Sequence, residues 1–239
     1  QEMILMKLDE SEILVAIEQL KDSGGNKYNV DLVRSEFQKS LKLKKGKWSP
    51  ISKIKKREVL LVSSGPKAKE YKDEIEKYIK LKKPFVIALN TSICINKNLI
   101  DIYVACNPLK LIANVNLYKN IKSPLAVPES LLSENLKKKF KNIKLLDFGV
   151  GIKENKFEFY KNCSSVPRLY DLAYALSIAT SGNASRILLA GFDGYGSSDR
   201  RTKVIDEIFY SYSACKNAKP IIAITPTSYS FTSMSIYTI

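Results

Sequence analysis

The sequence predicts an α/β fold, with a mainly parallel, Rossmann-like sheet that carries helices on both faces. Strand-like and helix-like segments alternate from residue 58 to the C terminus, the order that a parallel sheet with crossover helices requires. The strand-like segments are continuous apolar runs, as expected of strands buried on both faces. With 239 residues, of which 45% are hydrophobic and 26% charged, the chain can form one sizeable core.

Apolar runs that end in polar, glycine or proline residues are predicted as strands, and helices are predicted between them. In chain order, the elements are VLLVSS, a helix over 68–81, PFVIALN, LIDIYVACN, a helix over 108–115, SPLAVP, a helix over 130–141, IKLLDFG, a strongly apolar helix over 169–180, RILLAGFD, a helix over 202–216 and PIIAIT.

Two further segments precede this α/β domain. Apolar residues at helical spacing on both sides of the SGGN stop at 23–26 predict a helical hairpin. The basic stretch that follows, with Trp48, Ser49 and Pro50, is interpreted as a linker. The predicted organisation is therefore a hairpin over 1–45, a linker over 46–57 and a Rossmann-like domain over 58–239.

Composition restricts the chemistry and suggests the partners. The chain has no histidine, which removes the commonest general base and argues against a zinc site. The net charge of +15 indicates a solvated lysine surface or attraction to an anionic sugar nucleotide, an anionic glycan or the inner membrane face. Nucleic acid is not expected, because the lysines are not interleaved with aromatic residues. The four cysteines form no CxxC pair and are interpreted as buried free thiols of a cytoplasmic protein.

Small polar residues follow the predicted strands, and in such a sheet ligands bind beyond the carboxyl ends of the strands. Gly65 in the SSGP segment would let the backbone approach a ligand, and the helix after it would offer free N–H groups to a phosphate. Taken alone, SSGP is better explained as an ordinary turn. The candidate nucleotide-binding residues are Ser63, Ser64, Gly65, Asn90, Asn107, Thr225 and Thr227.

The segment GFDGYGSSDRR is the most specific signal in the sequence. It places two carboxylates, a tyrosine and two arginines in one glycine-rich loop directly after a strand. A purely structural loop gains little from that density of charge. The candidate catalytic residues are Asp193, Asp199 and Tyr195, and the candidate substrate-binding residues are Arg200 and Arg201.

The order of these motifs resembles that of the small bacterial sialyltransferases and of the related motility-accessory glycosyltransferase domains. The likeness covers residues 58–231, from the strand before SSGP to ITPTSY, and includes LLAGFDGYGSS. It implies a metal-independent transferase that uses a CMP-activated sugar as donor substrate, without a further cofactor. Ser64, Gly65, Asn90 and Asn107 would then line the cytidine nucleotide, and Tyr195 would lie near the leaving phosphate. The sialyltransferases use a catalytic histidine, which this chain lacks.

A second resemblance concerns residues 3–41. Their pattern is similar to the tail that follows the barrel in aldolases of the 4-hydroxy-2-oxovalerate and homocitrate-synthase type. The chain would then correspond to the C-terminal part of an aldolase-fused protein of surface-polysaccharide biosynthesis. No aldolase activity is expected of these residues, because the barrel and its metal ligands are absent from the sequence.

Three functions are compatible with these patterns. The first is transfer of an acidic sugar from a CMP donor to a glycan acceptor in cell-surface glycan assembly. Asp193 is then the first choice for the base and Asp199 the second, although Asp193 could instead cap its own glycine-rich turn. The second is a non-catalytic nucleotide-sugar or substrate-binding module beside an aldolase. The third is a diphosphokinase, in which the two aspartates would bind Mg²⁺. Peripheral contact with the inner membrane face and homo-oligomerisation are further hypotheses.

Overall fold

The structure is a computed structural model that describes residues 42–238, apart from 90, 92, 108–109, 112–113 and 197–198, and gives the backbone alone of Arg200. The predicted hairpin therefore lies almost entirely outside the described residues. Within them, no helix is long and apolar enough to cross a membrane. All four cysteines are free thiols, two of them fully buried and two partly buried.

A seven-stranded parallel sheet forms the centre of the described residues, in the order β10-β9-β1-β2-β3-β4-β5. The predicted fold class is confirmed, and each predicted strand corresponds to one strand of this sheet. The strands are β1 (Val59–Val62), β2 (Phe85–Ala88), β3 (Ile102–Val104), β4 (Leu125–Val127), β5 (Leu145–Asp147), β9 (Ile187–Ala190) and β10 (Ile221–Ala223).

Both faces of the sheet are covered, which explains the apolar runs. Along β1, Val59 and Leu61 belong to one hydrophobic cluster, whereas Leu60 and Val62 belong to the cluster on the other face. All four side chains are fully buried. Successive residues of a strand point to opposite faces, so a strand that is covered on both sides must be apolar at every position.

Seven α-helices are described, and the longer ones pack on the sheet. The predicted helix over 68–81 is divided at Tyr71 into two helices, and four of the eight residues of the predicted helix over 108–115 lie outside the described set. The helices are α1 (Ile51–Ile54), α2 (Pro66–Glu70), α3 (Lys72–Lys82), α4 (Val115–Tyr118), α5 (Glu134–Lys139), α6 (Asp171–Ser181) and α7 (Arg200–Ser213), and 3-10 turns lie at Lys97–Leu99, Glu129–Leu131 and Ile236–Thr238.

A second, three-stranded sheet was not expected from the sequence. It consists of β6 (Gly149–Ile152), β7 (Glu158–Phe159) and β8 (Cys163–Val166), with β8 in the middle. The segment before α1 crosses it closely: a Cβ at Gly149 would lie 1.8 Å from the carbonyl oxygen of Lys44. Glycine is required there because no side chain fits between the two backbones.

The stretch interpreted as a basic linker packs on the α/β domain. The backbone N–H of Trp48 donates to the carbonyl oxygen of Asp147 at 2.8 Å, which extends the hydrogen bonding of the β5 edge. Ile54 in α1 is fully buried. Residues 46–57 thus contribute to the core of this domain, while the hairpin proposed before them stays a prediction.

The strand order defines where a ligand would bind. From β1 the chain proceeds outward through β2, β3, β4 and β5, and it then returns through the small sheet and α6 to β9 on the other side of β1. The connections therefore diverge after β1 and leave a crevice beyond the carboxyl ends of β1 and β9. The SSGP and GFDGY segments follow these two strands.

Candidate functional site

A cleft of about 400 Å³ lies at this divergence point. Its size is within the range of small-molecule sites, about 300–1,000 Å³. Six of the sequence-predicted site residues line it: Ser63, Ser64, Gly65, Asp193, Tyr195 and Arg201. The other lining residues are Pro66, Leu89, Lys110, Tyr170, Asp171, Leu172, Gly191, Phe192, Gly194, Ile205 and Tyr229.

The SSGP loop is held against the start of the GFDGY loop. The N–H of Gly65 donates to the carbonyl oxygen of Gly191 at 3.1 Å, and the N–H of Ser63 donates to the carbonyl oxygen of Ala190 at 2.9 Å. A Cβ at Gly65 would lie 2.4 Å from the Gly191 oxygen and 2.7 Å from Oδ1 of Asp193. Glycine is therefore needed for the close packing of the two loops, and its missing side chain faces the protein.

Asp193 connects the two loops. Its Oδ2 accepts a hydrogen bond of 2.6 Å from the backbone N–H of Lys67 in the first turn of α2. Its Oδ1 is buried and accepts no hydrogen bond from the described residues. The alternative that Asp193 caps its own turn is thus replaced by a contact with another helix. The expectation that the N–H groups after Gly65 are free for phosphate is wrong for Lys67.

Tyr195, Asp199 and Arg201 form a group on the β9 side of the cleft. The guanidinium carbon of Arg201 lies 4.1 Å from the centroid of the Tyr195 ring, whose side chain is 42% exposed. Asp199 accepts hydrogen bonds from the backbone N–H of Arg201 at 2.8 Å and from its Nη2 at 2.6 Å. These bonds lower the pKa of Asp199. Asp199 caps α7 and orients Arg201, and it does not line the cleft.

The remaining predicted residues lie outside the lining. Thr225 is buried and its Oγ1 accepts a hydrogen bond from the N–H of Gly191 at 3.0 Å, while Oγ1 of Thr227 donates to the carbonyl oxygen of Phe192 at 2.5 Å. Asn107 is 5% exposed. The hydrogen bonds of Thr225 and Thr227 hold the start of the GFDGY loop in place. Asn90 and the side chain of Arg200 lie outside the described residues. The nucleotide-binding roles of these residues stay predictions.

Sequence patterns did not predict that the N terminus of α6 forms one wall of the cleft. Asp171, the first residue of α6, lines the cleft and accepts through Oδ1 from the N–H of Cys106 at 3.0 Å. Burial, with the nearby Asp171 carboxylate, raises the pKa of the Cys106 thiol well above its usual range. Nζ of Lys110 lies 5.2 Å from the centroid of the Tyr170 ring on the same wall. The predicted helix over 169–180 was the sequence signal that could have identified this wall, because the N terminus of a crossover helix lies near the carboxyl end of a strand.

The charged side chains of the cleft are balanced. Lys110 and Arg201 are its cations, and Asp171 and Asp193 its carboxylates, among the described lining residues. The two cations each lie over a tyrosine ring, and this contact helps to fix the position of the cation. Across the described part of the chain, no group of three or more His, Cys, Asp or Glu side chains is placed to hold a metal ion.

Fold and site together define an α/β protein with a Rossmann-like, glycosyltransferase-like fold and a ligand-sized cleft at the point where its strand connections diverge. The chain is similar in structure to the MAf glycosyltransferase from Magnetospirillum magneticum AMB-1, and this similarity supports the class. The TM-score is 0.56 and the sequence identity is 10%. The match covers 90% of this chain and 40% of that protein. No family model and no curated protein matches the sequence. The resemblance to motility-accessory glycosyltransferases is thus confirmed for the fold, and the sialyltransferase and aldolase resemblances stay predictions.

Proposed function

We propose that this chain is a glycosyltransferase that uses a CMP-activated acidic sugar as donor in cell-surface glycan assembly. One observation carries the proposal. The two segments singled out by sequence, SSGP and GFDGY, form adjacent walls of one cleft on a glycosyltransferase-like fold. The lysine-rich surface of the chain favours an anionic donor and the inner membrane face.

The leaving phosphate belongs on the β9 side of the cleft. As the bond from sugar to phosphate breaks, negative charge develops on the phosphate oxygen and requires preorganised donors. Arg201 supplies a guanidinium that is oriented by Asp199, and Tyr195 supplies a partly exposed phenol beside it. The hydroxyl groups of Ser63 and Ser64 line the neighbouring wall and suit hydrogen bonds to ribose or base.

Calorimetry with CMP in EDTA, compared with UDP, GDP and ATP, tests the proposal. CMP should bind best and without a divalent metal. Arg201→Met should weaken CMP binding about 10- to 100-fold, since a hydrogen bond to a charged group contributes about 1.5–3 kcal/mol. Lys203→Met is the matched control, because Lys203 is an exposed cation on the same helix that does not line the cleft. Binding of ATP alone, or only with Mg²⁺, would contradict the proposal and favour the diphosphokinase.

A non-catalytic binding module is the second candidate. The contacts of Asp193 favour it. Oδ2 of Asp193 is hydrogen-bonded to α2, and Oδ1 is buried against the SSGP loop. The candidate base that sequence ranked first is therefore occupied in a structural role. Tight CMP binding without release of CMP from a CMP-sugar would support the binding module and exclude the transferase.

A further inference from the structure

We propose that Asp171 is the catalytic base that deprotonates the acceptor, an inference that rests on the proposed transferase function. With no histidine in the chain, a carboxylate is the natural proton acceptor. Among the described lining residues, only Asp171 and Asp193 bring carboxylates to the cleft. Their hydrogen bonds distinguish them.

The oxygens of Asp193 are not well placed to accept a proton from a ligand. Oδ2 accepts the 2.6 Å hydrogen bond from Lys67, and Oδ1 is enclosed next to Gly65. Asp199, the second sequence candidate, is ion-paired with Arg201 outside the cleft lining. Both carboxylates hold loops and side chains in position.

Asp171 has one oxygen held and the other available. The N–H of Cys106 fixes Oδ1 at 3.0 Å, and the Cys106 thiol lies 3.5 Å from the same oxygen. Oδ2 accepts no hydrogen bond from the described residues, and it is not among their buried atoms without a partner. Oδ2 is therefore not buried, and it belongs to a residue that lines the cleft. An anchored carboxylate with one open oxygen is the arrangement that a general base requires.

The position of Asp171 also suits direct displacement at the anomeric carbon. In that reaction the acceptor attacks from the side opposite the leaving phosphate, so the base and the groups that bind phosphate must lie on different sides of the sugar. Asp171 is attached to the end of β3 through Cys106, whereas Tyr195 and Arg201 follow β9. Strands β1 and β2 lie between, a separation of roughly 14 Å at strand spacing, which leaves room for the sugar. Asp193, two residues before Tyr195, lies on the leaving-group side.

The step is balanced as follows. The acceptor hydroxyl oxygen forms a bond to the anomeric carbon while the bond from that carbon to the phosphate oxygen breaks. The electron pair of the broken bond stays on CMP, next to Tyr195 and Arg201. The hydroxyl proton moves to Oδ2 of Asp171 and is then released to solvent. When water replaces the acceptor, the same step hydrolyses the donor.

Release of CMP from CMP-N-acetylneuraminate, with water as acceptor, provides the test. Asp171→Asn keeps an oxygen for the Cys106 N–H and removes the base, so CMP release should fall about 10²- to 10⁴-fold. The dissociation constant for CMP should stay within about twofold, because no lost contact involves the nucleotide. A carboxylate base should make the wild-type rate fall toward acid pH, and Asp171→Asn should not show that fall. Asp171→Glu should recover part of the rate.

The surface variant Asp73→Asn is the control, because Asp73 is exposed and does not line the cleft, and it should release CMP at the wild-type rate. Full activity of Asp171→Asn, or an unchanged pH profile, would overturn the assignment while leaving the transferase intact. Absence of CMP release by the wild type would overturn both the transferase and the base.

Discussion

Substitution of Gly65 by alanine tests whether the two loops of the cleft are packed as described. The backbone of Gly65 has φ −61° and ψ 150°, which alanine adopts without strain. Any effect must therefore come from the added methyl group. That group would lie 2.4 Å from the carbonyl oxygen of Gly191, whereas ordinary contact begins at 3.4 Å. One of the two loops must consequently move by about 1 Å.

The cost of this movement can be estimated from the contacts it disturbs. Overpacking of a well-packed region costs about 1–3 kcal/mol, and loss of the Gly65–Gly191 hydrogen bond adds about 0.5–1.5 kcal/mol. Reduced freedom of the unfolded chain returns about 0.4–1 kcal/mol. The net loss is about 0.5–4 kcal/mol, or a fall in Tm of roughly 1–16 °C for a chain of this size.

Thermal unfolding of Gly65→Ala beside Gly196→Ala measures the effect. A Cβ at Gly196, in the same GFDGYG segment, would meet nothing within 4 Å. Gly196→Ala should therefore unfold like the wild type. Equal melting temperatures for all three proteins would refute the packing of SSGP against the GFDGY loop. Gly65→Val should weaken CMP binding as well, because displacement of the loop moves Ser64 within the cleft wall.

Three further predictions concern the supports of the cleft. Asp193→Asn should lower stability by about 0.5–2 kcal/mol, as expected for a weakened helix cap at Lys67, and a calorimetric scan without any shift would contradict that role. Thr225→Val should leave the buried N–H of Gly191 without its partner and cost about 1–3 kcal/mol, measured by urea unfolding, in which an unchanged midpoint would argue against the brace. The folded-state pKa of Asp199 is lowered, so its stabilising contribution is complete above its ordinary pKa of 3.8 and is lost as pH falls through the folded value. Unfolding of Asp199→Asn should accordingly vary less with pH below about 4 than unfolding of the wild type.

The central sheet could be predicted from the sequence because local composition determines it. Strands such as β1 and β9 are buried on both faces, so each is a run of apolar residues that ends in a polar turn. The small sheet carries no such signal. Its strands have the sequences GVGI, EF and CSSV, which are short and lack a continuous apolar run, and glycine has low strand propensity. Contact with the distant segment before α1 stabilises this sheet, and that contact cannot be inferred locally.

Part of the candidate site could likewise be predicted from the local sequence, and part of it could not. Ser63, Gly65 and Asp193 follow strands, so the rule that ligands bind at the carboxyl ends of parallel strands identified them. Asp171, Tyr170 and Tyr229 come from the start of a helix and from the C-terminal segment. Only the crossing of α6 under the sheet and the folding back of the chain after β10 bring them to the cleft. In the sequence, Asp171 looks like any acidic residue in the first turn of a helix.

The hydrogen bond between Asp193 and Lys67 determines where a phosphate can bind. The sequence suggested the N terminus of the helix after Gly65, but α2 has only five residues and its first-turn N–H already donates to a carboxylate. A phosphate there would lie beside a like charge, which at about 4 Å costs on the order of 4 kcal/mol for an effective dielectric constant of about 20. That repulsion exceeds what the end of a short, partly exposed helix contributes, about 0.3–1 kcal/mol. In the proposed transferase, a phosphate would therefore bind better near Arg201, with the donor sugar between the β9 wall and Asp171.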